Sequence, residues 1–139
     1  MSADLPGTVL LVDDDDDFRL ALADALTADG CQVLEVPTGE AALALLEDAA
    51  KSRGPVPDLL VLDLLMPGMS GTEVLQRMRR SNRWAKLPVL VVTGVNDQML
   101  PVRLDLPIAF KPDPQTVLDA VRQQLAAGRR RPHGTGPTV

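Results

Sequence analysis

Short, almost unbroken aliphatic runs, each followed by a helix-length stretch, constrain this chain more than any other feature. Thr8-Val9-Leu10-Leu11-Val12, Leu59-Leu60-Val61-Leu62 and Pro88-Val89-Leu90-Val91-Val92 show no polar alternation. A strand that is apolar on both faces must be covered on both faces, which is how parallel sheets sit between helical layers. Cys31-Gln32-Val33-Leu34-Glu35-Val36 and Ile108-Ala109-Phe110 read as two further strands. The segments between them carry helical spacing. Phe18, Leu22, Ala25 and Leu26 form one stripe, stopped by Gly30. Thr38-Gly39-Glu40 opens a second helix through Ala42, Leu43, Leu45, Leu46 and Ala49, which fades in Lys51-Ser52-Arg53-Gly54-Pro55. Residues 72–80 read as a third, with Val74, Leu75 and Met78 inward. Val117, Leu118, Val121 and Leu125 make the last, introduced by Pro112-Asp113-Pro114. Alternation of this kind predicts an α/β fold, a doubly wound five-stranded parallel sheet.

Composition narrows the function. The 139 residues are 45% hydrophobic and 24% charged, ordinary for one globular domain. Aromatics are 2%, too few for a platform that stacks single-stranded nucleic acid. The net charge is −5, which argues against direct DNA binding through phosphates. A single cysteine, Cys31, excludes a disulfide framework and a cysteine-rich zinc site. No signal peptide is evident, and no apolar run reaches the roughly 18 residues of a membrane span, so a cytoplasmic protein with no membrane partner is expected. Residues 1–7 read as an N-terminal extension and 8–127 as the domain. Residues 128–139 read as a disordered basic tail: they hold three arginines and no acidic residue.

In open parallel sheets ligands bind at the carboxyl ends of the strands. Asp13 and Asp14 follow the first strand, Asp63 ends the third, Thr93 the fourth and Lys111 the fifth. Three carboxylates at one edge repel each other and call for a cation. An all-oxygen set with few carboxylates suits Mg²⁺. Metal, ammonium and hydroxyl together match the equatorial oxygens of a transferring phosphoryl group, and one carboxylate would be the nucleophile. Taken singly, each element has a plainer meaning: a helix cap, a strand end, an exposed turn. The joint placement is what carries weight.

The chain closely resembles the receiver domain of two-component response regulators. The resemblance rests on Val9-Leu10-Leu11-Val12-Asp13-Asp14, on Asp63-Leu64-Leu65-Met66-Pro67-Gly68-Met69-Ser70-Gly71, on Leu87-Pro88-Val89-Leu90-Val91-Val92-Thr93-Gly94 and on Phe110-Lys111-Pro112. It implies a flavodoxin-like, CheY-like (βα)5 fold. It implies Asp63 as phosphoacceptor, and Asp13, Asp14, Asp63 and the backbone carbonyl of Leu65 as Mg²⁺ ligands. Thr93 would move to the phosphoryl group, Lys111 would be its charge partner, Gly94 would leave it room, and the Lys111–Pro112 bond would be cis. The donor would be a sensor histidine kinase or histidine phosphotransfer protein docking near the first helix and the Lys111 loop. The one histidine here, His133, lies in the tail and is a poor donor. With only a short tail after residue 127, a stand-alone receiver, or one cut from a longer protein, is expected. Its downstream protein target is not readable. Such a domain assists its own phosphorylation and dephosphorylation without being an enzyme in its own right.

Three departures matter. Leu65 and Val95 occupy positions that vary in the family and affect hydrolysis; being apolar, they predict a long-lived acyl phosphate. Ile108 stands where the family often places a switch aromatic. The stretch between Thr93 and Lys111 is shorter than the roughly 24 residues an average helix, strand and two loops need. It also holds Pro101, so a shortened or irregular fourth helix is expected, at 97–100. Three other readings compete. One is an Mg²⁺-dependent aspartyl-phosphate phosphatase using Asp13 and Asp15. Another is a flavodoxin-like cofactor domain, whose phosphate the aspartate run would repel. The third is a receiver-shaped interaction module that is never phosphorylated.

Overall fold

The computed structural model describes residues 7–94, 106–111 and 113–130. Its elements are β1 (Thr8–Val12), α1 (Asp16–Ala28), β2 (Gln32–Val36), α2 (Gly39–Ala50), β3 (Leu59–Asp63), α3 (Gly71–Arg79), β4 (Val89–Thr93), β5 (Ile108–Phe110) and α4 (Pro114–Arg130). The strands form one parallel sheet in the order β2-β1-β3-β4-β5. Every residue of β3 and β4 is buried, as their uninterrupted apolar runs require. The edge strand β2 is more open, with Gln32 and Glu35 exposed.

Period-two alternation divides the core. Val9, Leu11, Leu59, Val61, Leu90 and Val92 face α1 and α4, meeting Phe18, Leu22, Leu26, Val117, Val121 and Leu125. Leu10, Val12, Leu60, Leu62, Val89 and Val91 face α2 and α3, meeting Ala42, Leu46, Val74, Leu75, Met78 and Trp84. The Trp84 indole N–H donates to the Leu46 backbone oxygen at 3.1 Å, so its one polar atom is satisfied inside that layer. Gly39 lets the layer close: a Cβ there would come within 2.6 Å of Val74 Cγ2.

Each early helix begins at a side chain that accepts from an orphan backbone N–H. Asp15 caps α1 through Phe18 N, Thr38 caps α2 through Ala41 N, and Ser70 caps α3 through Glu73 N. Gly30, at φ 96°, follows the Asp29 C-cap of α1 in the left-handed conformation.

The elements differ from the sequence expectation mainly by single residues at their ends. Asp63 and Thr93 belong to their strands, because each still pairs in the ladder, with Val92 and Phe110. At the other end α4 continues through Arg130, past the boundary expected at residue 127. Ala126, Ala127 and arginine are good helix formers, and one glycine costs about 1 kcal/mol against alanine, too little to stop a running helix. Residues 131–139, the expected short helix between β4 and β5, Val95, and the geometry of the Lys111–Pro112 bond lie outside the described residues. Among the described residues no helix is long and apolar enough to cross a membrane.

Candidate functional site

The carboxyl ends of β1, β3, β4 and β5 adjoin one another. Asp13 directly follows β1 and is buried, as is Asp63 at the end of β3; Asp14 is exposed. Oxygen atoms of Asp13, Asp14 and Asp63 lie within 4.8 Å of one another. Lys111, one residue past β5, enters this group. Its Nζ stands 2.8 Å from Asp13 Oδ2 and 3.4 Å from Asp63 Oδ2. Its backbone N–H donates to the Thr93 carbonyl at 2.9 Å, which ties the β5 end to the β4 end. Thr93 itself is fully buried.

The backbone holds the carboxylates in place. Leu65 N–H donates to Asp63 Oδ1 at 3.2 Å, and Asp15 N–H donates to Asp13 Oδ1 at 2.9 Å. Leu65, the second residue after β3, is about half exposed. Gly94 is exposed, and among the described residues nothing lies within 4 Å of where its Cβ would stand.

Burial and the neighbouring Asp13 charge push the Asp63 carboxyl up to about 7, against the pull of Lys111 and the Leu65 N–H. Burial opposes the Lys111 charge as well. The hydrogen bond to Asp13 and the two carboxylates outweigh that and keep the ammonium above the usual lysine range. Among the described residues one ammonium meets three carboxylates, which leaves the group short of positive charge. The donors are all oxygen, with exposed Asp14 open to solvent, and this set fits a hard divalent cation such as Mg²⁺ that keeps several waters.

Two contributors were not found from the sequence. The Phe18 ring centroid lies 4.9 Å from Lys111 Nζ, close enough for a cation–π contact. In the sequence Phe18 is marked only as a core residue by its helical spacing. In the sequence Gly71 is the last residue of the loop motif; the packing reason for it appears only in three dimensions. A Cβ at Gly71 would collide with the Asp63 carbonyl oxygen and lie 2.7 Å from Leu64 Cα. Asp15, the second member of the Asp13 and Asp15 pair, is bonded to the backbone of its own helix. Asp15 Oδ1 accepts from Phe18 N at 3.2 Å and serves as the α1 cap.

A family model for the response regulator receiver domain matches residues 9–105. The chain belongs to the response regulator receiver family. The receiver is 38% identical over 128 residues to the transcriptional regulatory protein AfsQ1 of Streptomyces coelicolor, covering 88% of this chain and 53% of that protein. It is also 38% identical over 96 residues to the sensor histidine kinase TmoS of Ectopseudomonas mendocina, covering 69% of this chain and 9% of the kinase. The chain therefore spans about half the length of the first relative and a small part of the second. Among solved structures, the receiver domain of the hybrid histidine kinase CckA is 32% identical, with a TM-score of 0.67 over 86% of this chain and 99% of that one. A response regulator from Chloroflexus aurantiacus is 29% identical, with a TM-score of 0.70 over 87% of this chain and 98% of that one. The flavodoxin-like, CheY-like sheet order belongs to this family, whose members are phosphoacceptor signalling domains in two-component systems.

Proposed function

We propose that this receiver accepts a phosphoryl group on Asp63 from the phosphohistidine of a sensor histidine kinase or histidine phosphotransfer protein, in a Mg²⁺-dependent step. The observation that carries the reading is the meeting of Asp13, Asp14, Asp63 and Lys111 at one sheet edge.

In this reading an Asp63 carboxylate oxygen attacks phosphorus in line as the bond to the histidine nitrogen breaks. Asp13, Asp14, Asp63 and the Leu65 carbonyl would hold Mg²⁺, which when bound offsets charge on the phosphoryl oxygens. Lys111 stays protonated beside Asp63 and pairs with the incoming phosphoryl group. Thr93 supplies its hydroxyl to an equatorial oxygen, and open space at Gly94 admits the group. The kinase-side partner docks over α1 and the Lys111 turn, where Leu20 and Phe110 are exposed. The receiver works in the cytoplasm and acts through a downstream protein rather than by binding DNA itself.

Incubation with Mg²⁺ and acetyl phosphate, followed by intact-mass measurement, tests the reading. One phosphoryl adduct is expected in the parent and none in Asp63→Asn. A persistent adduct in Asp63→Asn would reassign the acceptor, and no adduct in the parent would favour an interaction module.

A further inference from the structure

Arg19, in the first turns of α1, is mostly covered, with its side chain 12% exposed, and none of the roles above uses it. Its guanidinium reaches in three directions. Nη1 donates to the backbone carbonyl of Asp13 at 2.8 Å, Nη2 stands 2.8 Å from Asp16 Oδ1, and Nε donates to Glu35 Oε1 at 3.2 Å. We propose that Arg19 is a positioning residue for the Asp13 carboxylate, holding the acidic turn in the geometry that binds Mg²⁺.

The sheet ladder explains why such a clamp is needed. Asp13 N–H still donates to Val36 O at 3.2 Å, but β2 ends at Val36, ahead of Pro37. The strand pairing gives out at the residue whose carboxylate matters most, and the guanidinium takes hold of its carbonyl. Asp13 is then gripped at three points: its N–H by β2, its carbonyl by Arg19 and its carboxylate by Lys111. Charge works the same way. Five consecutive aspartates, Asp13 to Asp17, repel along this turn. Lys111 counters them from the β5 side and Arg19 from α1, through Asp16. Glu35, on β2, braces the far side of the guanidinium, so the fork is fixed from two elements. The planar guanidinium aims its donors at three spread acceptors in fixed directions, whereas the three donors of a lysine ammonium radiate from one point on a flexible stem.

This proposal rests on the metal-dependent reading of the site, and the test separates the two. Mg²⁺ is titrated by calorimetry into the full chain and into Arg19→Gln and Arg19→Lys, well below their melting temperatures. In parallel, exchange of the Asp15 amide, which reports its bond to Asp13 Oδ1, is followed without metal. Arg19→Gln is expected to weaken Mg²⁺ about tenfold, the lower end for loss of an outer partner of a metal ligand. It should also lose protection at the Asp15 amide while protection in β3 stays at the parent level. Arg19→Lys should recover part of both. An Arg19→Gln chain with parental Mg²⁺ affinity and parental Asp15 protection would overturn the proposal. So would protection lost evenly across β1, β3 and Asp15, the mark of a merely structural arginine. If the parent itself binds no Mg²⁺, the functional reading fails, and the Asp15 amide alone decides whether Arg19 positions Asp13.

Discussion

Gly71 opens α3 against the backbone of Asp63, with no room between them for a side chain, and its own N–H donates to the Leu64 carbonyl at 2.9 Å. The loop from Asp63 to Gly71 is thereby folded back onto its own start, which keeps Asp63 and the Leu65 N–H in one tight arrangement. Gly71→Ala is expected to destabilise the chain by about 1–3 kcal/mol, the usual cost of an overpacked contact. It should also lower the rate of labelling by acetyl phosphate. Urea unfolding checks the first effect. Gly54→Ala is the control: its Cβ meets nothing within 4 Å among the described residues, and a change within about 0.5 kcal/mol is expected.

The pH dependence of the metal-free chain follows from Asp63. Its carboxyl titrates near 7 when folded and near 3.8 as an ordinary carboxyl. Between those values the folded state holds a proton that the unfolded chain has released, so this group makes stability fall as pH rises from about 4 to 7. Asp63→Asn removes that slope. At pH 8 the variant should be more stable than the parent by on the order of 2 kcal/mol, and the two should converge below pH 4. Thermal melts across that range, read as the difference between parent and variant, give the answer. Saturating Mg²⁺ should shrink the difference.

Leu65 stands two residues after Asp63, the proposed acceptor, and its side chain offers an attacking water nothing to bond to. Leu65→Glu should speed loss of the phosphoryl group by roughly tenfold, a tenth of the smaller effect of a well-placed general base. Decay after removal of acetyl phosphate, followed by mass, measures it. An unchanged decay rate would remove Leu65 from the control of phosphoryl lifetime.

The α2–α3 layer should tolerate little loss of volume. Leu62 is fully buried among Leu10, Val74 and their neighbours, so Leu62→Ala should cost about 2–5 kcal/mol. Leu20, half exposed on α1, should accept alanine with a change within about 0.5 kcal/mol. If Leu20 forms part of the kinase-side surface, Leu20→Ala slows transfer from the kinase while leaving labelling by acetyl phosphate at the parent rate.

Much of this receiver is written along the chain. Apolar runs such as those of β3 and β4 record burial on both faces, a purely local pattern, and helical spacing between them records the covering layers. Polar residues at the strand ends then mark one edge, because a parallel sheet brings all its carboxyl ends to the same side. Linear order cannot say which ends touch. The pairing of β1 between β2 and β3 brings Asp13 beside Asp63, and the Lys111–Asp13 contact closes across a separation of 98 residues. The raised Asp63 carboxyl, the ring of Phe18 against Lys111, the clamp of Arg19 on the Asp13 carbonyl and the crowding at Gly71 all depend on desolvation and close approach. Those quantities exist only once the layers have packed, which is why chemistry-bearing residue types could be picked out in advance and their mutual geometry could not.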